Sequence, residues 1–318
     1  MRLKSKDVIS IDDFSKDELL MILRAAEMCE KGFLDGRFSS LLKGKVLATL
    51  FFEPSTRTRL SFESAMKRLG GSVIGFADSN TSSATKGETA HDTAKMIESY
   101  ADIMAVRHNI EGAPRVMAEA TMIPVLNAGD GANQHPTQTC LDLYTIKKSK
   151  GRLEGLDIGF LGDLKYGRTV HSLVRALMHF DCRMHFISPT ELMMPKYIID
   201  DLDKQGVEYH ITEDLHKTAG KLDVLYVTRI QKERFGDPLE YEKVKDVYQL
   251  DKDILEHIKK DLKIMHPLPR VNEIHIDIDD TGHAIYFEQA KNGVFVRQAL
   301  LALLLGKGDE LMEIGHDE

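Results

Sequence analysis

Five consecutive residues, Ser55, Thr56, Arg57, Thr58 and Arg59, lie between an apolar run ending at Pro54 and a segment of helical period. Hydroxyl and guanidinium groups are donors for oxyanions. The start of a helix adds unpaired backbone N–H groups and the positive end of a dipole. Together they make a pocket for a phosphate. A lone Ser-Thr-Arg would read as an N-capping serine followed by solvated arginines. Here two hydroxyls and Arg57 crowd a single strand-to-helix junction, which favours the anion.

Other polar groups recur in the same kind of place. In doubly wound sheets ligands bind beyond the carboxyl ends of the strands, so the residues after each apolar run carry the information. Arg107 closes ADIMAVR, and HPTQ places His135 and Gln138 at the start of a helical segment. GDLKYGRTVHS brings Arg168 and Thr169, VTRIQKERF brings Arg229 and Gln231 two apart, and HPLPR spans 266–270. Taken singly, each has a plainer reading: a surface arginine, a capping histidine, a charged loop. Gly159, Gly162 and Gly167 are spaced wrongly for Gly-x-Gly-x-x-Gly, and no acidic residue follows at the expected distance, so a dinucleotide site is not indicated.

The elements that must position these groups alternate. Ser15 and Glu18 form a capping box before LLMILRAAEMCEKG, a helix that Gly32 can close. KVLATLFFE is a continuous apolar run, as suits a strand buried on both faces. Helical RTRLSFESAMKRLGG follows, and then SVIGFA, ETAHDTAKMIESY, ADIMAVR, PRVMAEA and IPVLNA alternate strand and helix. After HPTQTCLDLYTIKK and Gly151 the alternation restarts with LDIGFLGD and continues through RMHFISP, VEYHIT, VLYVTR and LKIMHP as strands. Two tandem parallel sheets are the economical reading. DSNTSSATKG, without apolar periodicity, is expected to be a long mobile loop able to act as a lid. Composition does not assign the last helix, GVFVRQALLALLLG, to either domain.

At 318 residues and 35.9 kDa the chain exceeds the usual size of one core, so two domains and a cleft between them are expected. A net charge of −8 argues against a nucleic-acid partner. Cys29, Cys140 and Cys182 stand far apart, with no metal or disulfide pattern, which fits a reducing cytoplasm. The longest apolar run, Ala299 to Leu305, is too short to span a bilayer, and the N-terminus lacks the apolar stretch of a signal peptide.

Ser55 to Arg59 match the Ser-Thr-Arg-Thr-Arg motif of the aspartate and ornithine carbamoyltransferase family, and from about Phe51 to Gly306 the chain resembles that family, its aspartate branch most closely. The resemblance implies an α/β fold of two doubly wound parallel-sheet domains with the active site in the cleft between them. Residues 1–134 plus 292–318 would bind carbamoyl phosphate and 135–291 aspartate. The implied reaction moves the carbamoyl group of carbamoyl phosphate to the amino group of L-aspartate, an early step of pyrimidine synthesis, with no cofactor and no metal.

Carried over residue by residue, the resemblance gives Ser55, Thr56, Arg57, Thr58 and Arg107 to carbamoyl phosphate. His135 would donate to the carbamoyl oxygen, Gln138 would bind the carbamoyl amide, and the backbone of Leu268 and Pro269 would meet the carbamoyl and amino groups. Arg168, Thr169, Arg229 and Gln231 would hold aspartate. Ser82 and Lys86 would reach into a neighbouring subunit's site, Lys86 touching both substrates, which implies a homotrimer. RHNIEGAP resembles the stretch that meets a separate zinc-bearing regulatory chain in regulated relatives. Ornithine would need a carboxylate for its side-chain ammonium, whereas aspartate needs cations; the sequence offers Arg168 and Arg229, and HPLPR lacks the cysteine typical of ornithine enzymes.

Overall fold

A computed structural model describes residues 1–78, 83–231, 235–244 and 247–316. Residues 79–82 of the expected lid, Ser82 among them, lie outside the described residues, as do 232–234 of the QKER stretch. The chain forms two compact units, Met1–Tyr144 with Lys291–Glu318, and Thr145–Ala290.

In the first unit, α1 (Lys16–Lys31) starts at the expected capping box, with Ser15 accepting from the Glu18 amide and the Glu18 side chain accepting from the Ser15 amide. β1 (Val46–Phe51) is buried from Leu47 onward, which explains its continuous apolar sequence. Then come α2 (Thr56–Arg68), β2 (Ser72–Phe76), α3 (Ala90–Glu98), β3 (Ile103–His108), α4 (Ala113–Ala120), β4 (Val125–Asp130) and α5 (Pro136–Lys150). The four strands are parallel, in the order β2-β1-β3-β4. Ala48, Leu50, Met104, Val106, Met117 and Val125 pack one core cluster. At the edge, Gly75 (φ +146°) has no room for a side chain, because a Cβ there would lie 2.0 Å from the Thr49 carbonyl oxygen.

The second unit contains β5 (Leu156–Leu161), α6 (Arg168–Leu177), β6 (Cys182–Ile187), α7 (Lys196–Gln205), β7 (Tyr209–Thr212), α8 (His216–Ala219), β8 (Val224–Val227), α9 (Pro238–Val244), β9 (Lys263–Met265) and the start of α10 (Tyr286–Leu304). Its five strands are parallel in the order β7-β6-β5-β8-β9. Leu161, Ile187, Leu222, Val227, Ile264 and Tyr286 share a core. The rest of α10 and α11 (Gly308–His316) belong to the first unit. No helix among the described residues is long and apolar enough to cross a membrane.

One boundary differs from expectation in a way that matters for chemistry. The division was expected before His135, yet the first unit carries α5 as far as Tyr144 and resumes at Lys291 rather than 292. Cys140, Leu141, Leu143 and Tyr144 are buried, and Tyr144 Oη donates to Glu30 Oε2 of α1 at 2.6 Å. His135 and Gln138 therefore share a unit with Ser55 and Arg107.

Both sheets reverse strand order once, between β1 and β3 in the first unit and between β5 and β8 in the second. Crevices at the carboxyl ends of strands open at such switch points.

The amino ends of the second sheet carry a buried polar cluster instead. Asp157 Oδ1 accepts from Arg183 Nε and His185 Nε2, each at 2.9 Å, and Oδ2 accepts from Arg183 Nη2 at 2.5 Å. Arg183, and after it His185, hold the Asp157 carboxyl down at about 2, against the opposing effect of burial. The unfolded value is about 3.9. The stability Asp157 contributes is therefore fully present above pH ~4 and lost as the pH falls through about 2. Asp157→Asn is expected to cost about 1 to 2 kcal/mol at neutral pH, a figure discounted because Arg183 is half exposed. Thermal unfolding of both proteins across the acid range checks this: the gap should close in acid, and a gap independent of pH would contradict the assignment.

Candidate active site

Ser55 is the N-cap of α2, in extended backbone, yet its side chain makes no capping hydrogen bond. A hydroxyl in that position ordinarily satisfies the helix's own amides. Here the Ser55 hydroxyl leaves those amides to other acceptors, and no acidic residue occupies the first turn. Thr58 is buried one turn in, and Arg59 is turned away, pairing with Glu63 at 3.6 Å.

Arg107 is registered directly beside Phe51 at the end of β3, so it meets the start of α2 across the switch point. Its Nη2 donates to Glu53 Oε1 at 2.7 Å and its Nη1 to the Ala128 carbonyl at 3.3 Å. Arg107 Nε is buried without a hydrogen-bond partner, an orphan donor of the kind that binding sites keep. The pKa of the Arg57 guanidinium is pulled below its usual range by desolvation and by the nearby Arg107 charge. Two cations held near enough to repel mark a place for an anion.

His135 lies past β4, the neighbour of β3, and its carbonyl accepts the Gln138 amide at 2.9 Å as α5 begins. Its side chain is buried. Gln138 Nε2 donates to Asp142 Oδ1 at 2.9 Å, which leaves the amide oxygen Oε1 as an acceptor for a ligand N–H. Ser55, Arg107 and His135 thus stand at or just past the carboxyl ends of three adjacent strands. Lys86 is exposed at the end of a 3-10 turn, Ser83–Lys86.

The second unit gathers its expected residues at its own switch point. Arg168 and Thr169 open α6 after β5, half-buried, again with no acidic residue in the first turn. Past β8, Thr228 Oγ1 accepts the Asp163 amide at 3.0 Å, Gln231 Nε2 donates to the Tyr166 carbonyl at 3.3 Å, and the Gln231 amide donates to Asp163 Oδ2 at 3.4 Å. These bonds tie the loop after β8, which carries Arg229 and Gln231, to the loop after β5 that leads into Arg168. Burial raises the Asp163 carboxyl, and its oxygens are engaged by the amides of Tyr166 and Gln231. Arg229 and Thr228 line a cavity of about 60 Å³ together with Gly162, Tyr241, Asn272 and Glu273.

Leu268 follows β9 with φ +57°, and its bond to Pro269 is cis. Arg270 is engaged internally, with Asp279 and with Tyr286 Oη at 2.9 Å. Sequence reasoning did not single out Glu53, Asp142, Asp163, His266 or Glu273. Glu53, immediately before Pro54, Asp163, within GDLKYGRTVHS, and His266, which heads HPLPR, stood inside stretches that the sequence already marked. No cluster of three or more His, Cys, Asp or Glu suited to a metal occurs among the described residues. All three cysteines are buried with raised pKa values, those of Cys140 and Cys182 to about 12, so they are inert thiols.

Comparison with known proteins identifies the family of both units. Residues 6–148 match the carbamoyl-P binding domain of the aspartate/ornithine carbamoyltransferases, and residues 154–304 match their Asp/Orn binding domain. The chain is 58% identical over 303 residues to the aspartate carbamoyltransferase catalytic subunit of Thermococcus kodakarensis, covering 95% of this chain and 98% of that one. Among solved structures, the catalytic subunit of M. jannaschii aspartate transcarbamoylase is 53% identical with a TM-score of 0.88, over 94% of this chain and 98% of that one. Aspartate transcarbamoylase from Trypanosoma cruzi, in complex with N-(phosphonacetyl)-L-aspartic acid, is 37% identical with a TM-score of 0.89, over 95% of this chain and 96% of that one. On sequence and fold, the chain belongs to the aspartate/ornithine carbamoyltransferase family.

Proposed function

We propose that the protein transfers the carbamoyl group of carbamoyl phosphate to the amino group of L-aspartate, giving N-carbamoyl-L-aspartate and phosphate. The observation that carries this reading is the β1/β3 switch point, where an uncapped Ser55, a helix start and two mutually repelling arginines await an anion. Carbamoyl phosphate binds there, its phosphate on Ser55, Thr56, Arg57, Thr58 and Arg107. Gln138 accepts from the carbamoyl amide. In the second unit, Arg168, Thr169, Arg229 and Gln231 hold the aspartate carboxylates.

Transfer requires the two bound substrates to meet. The amine attacks the carbonyl carbon, a tetrahedral oxyanion forms, and phosphate leaves with the C–O bonding pair and takes up the proton that the attacking nitrogen sheds. His135, Arg107 and Thr58 donate to the oxyanion where its charge develops, and the Leu268 and Pro269 backbone accepts from the carbamoyl and amino groups. No protein nucleophile is needed, because the amine supplies the electrons and the enzyme supplies orientation. Aspartate is favoured over ornithine because Asp163, the acid beside Gln231, is buried and already engaged by backbone amides, and so is not placed to pair an ornithine ammonium.

The T. cruzi relative has also been solved with carbamoyl phosphate and aspartate together. N-(phosphonacetyl)-L-aspartate should therefore inhibit this protein competitively with carbamoyl phosphate, and the ornithine analogue should not. Equal inhibition by both would contradict the reading.

The working unit is proposed to be a cytoplasmic homotrimer in which Lys86 and Ser82 complete a neighbour's site. Light scattering should give three times the 35.9 kDa chain mass. Mixing inactive Lys86→Ala and Arg57→Ala chains should restore activity, since some mixed sites then carry both groups intact. A mixture as inactive as its parents contradicts shared sites. A cavity of about 520 Å³ lined by His108, Asn109, Ile110, Glu111, Gly112 and Val116 supports docking of a zinc-bearing regulatory chain along the RHNIEGAP stretch.

A further inference from the structure

His266, the first residue after β9, has a side chain only 1% exposed, and its two ring nitrogens do different work. Nδ1 accepts the Leu268 amide at 2.8 Å, while Nε2 lies 2.7 Å from Glu273 Oε1. A nitrogen that accepts an N–H cannot carry a proton, so the ring proton is on Nε2 and is donated to Glu273. The second carboxylate oxygen, Oε2, accepts the amides of Val271 and Asn272 at 3.0 and 3.1 Å. On the other side, the His266 backbone N–H donates to Gln289 Oε1 at 2.8 Å. The imidazole is held from both sides and sealed from solvent, so it is not placed to exchange protons with a substrate.

Its target is unusual. Leu268 is the one non-glycine residue with positive φ among the described residues, at +57°. Left-handed backbone at a leucine is strained and persists only where the surroundings enforce it. One contact on this turn is the Nδ1 hydrogen bond, made from two residues upstream in the manner of an Asx turn.

We infer that His266 and Glu273 are a positioning pair for the transfer reaction: the Glu273 carboxylate selects the imidazole tautomer that holds the Leu268 amide, and so aims the Leu268 and Pro269 backbone at the reacting amide and amine. This rests on the role given to that backbone under the proposed function. Neither side chain touches substrate.

Protonation would put a donor on Nδ1 opposite the Leu268 N–H and expel it. Burial keeps the His266 pKa below its usual range despite the pull of Glu273, with Arg270 and Arg229 the other charges facing it. The acceptor is therefore intact at neutral pH.

The experiment compares the full-length wild type with folded His266→Ala and His266→Asn variants, measuring ureido product against each substrate. An asparagine at this position can still accept the Leu268 amide but cannot reach Glu273. His266→Ala is expected to lose about 100-fold in kcat, in line with the loss of one oriented catalytic contact. Its KM for carbamoyl phosphate should change less than about threefold, because the phosphate ligands lie in the other unit. His266→Asn should recover about tenfold of the lost kcat. A folded His266→Ala with wild-type kcat, or a His266→Asn no better than it, overturns the inference. If His266→Ala does not fold, ¹⁵N NMR of the wild-type imidazole decides: a protonated Nδ1 at neutral pH overturns the pair, and an unprotonated Nδ1 with proton-bearing Nε2 supports it. An inactive wild type is a separate outcome and sinks the carbamoyl-transfer reading itself.

Discussion

Arg57→Ala is expected to lower kcat by about 10³-fold, roughly 4 kcal/mol of transition-state stabilisation, with the fold intact. The guanidinium stands at the switch point where the leaving phosphate would gather charge. A charge-assisted donor in that position acts more strongly on the transition state than on the bound substrate. The same side chain contributes little to stability. It is exposed, and the nearby Arg107 charge opposes its protonated form. Removing it relieves repulsion, so Tm should stay level or rise, the usual opposition between function and stability at a binding site. Carbamoyl phosphate should raise the Tm of the wild type and have little effect on the variant. Near-normal turnover, or a marked fall in Tm, would show that Arg57 is a structural residue.

Arg229→Ala should act on the other substrate. A planar guanidinium holding a carboxylate contributes about 2–3 kcal/mol when the pair is shielded, so KM for aspartate should rise by about 100-fold while KM for carbamoyl phosphate hardly moves. Arg229→Lys should recover little, because an ammonium cannot present two parallel donors. The distinguishing measurement is the pair of KM values taken with the other substrate saturating. If both rise together, Arg229 supports the unit's structure and does not bind the aspartate carboxylate.

The residues of the phosphate pocket could be read directly from the sequence, for a physical reason. β1 is buried on both faces and so reads as an uninterrupted apolar run, Pro54 marks its end, and the donors follow without a gap. The two parallel sheets emerged from the same alternation. The unit boundary at α5 was harder to see. His135 to Lys148 is one unbroken helical pattern after a glycine-rich turn, and tertiary contacts such as those of Tyr144 with Glu30 and of Thr137 with Arg297 show that its first part packs with the first unit. α10 begins at Tyr286, upstream of the expected start at Gly293, because Gln289 and Asn292 are buried polar residues that blur the apolar period. α11 is nine residues long and left no distinct signal beyond Gly306.

Among the site residues, those needing only a strand end and a helix start were visible, while those that hold others in place were not. Asp142 matters through Gln138, Asp163 through Gln231, and Glu273 through His266 and Leu268. Each is a lone acid in sequence and gains meaning only once folding sets it against its partner.

The most direct test is a steady-state assay of the purified chain with carbamoyl phosphate and either L-aspartate or L-ornithine, quantifying the ureido product. Product is expected from aspartate and not from ornithine. Product from ornithine alone, or from neither amine, would contradict the placement of Arg168, Arg229 and Gln231 on a substrate carboxylate, and with it the proposed reaction.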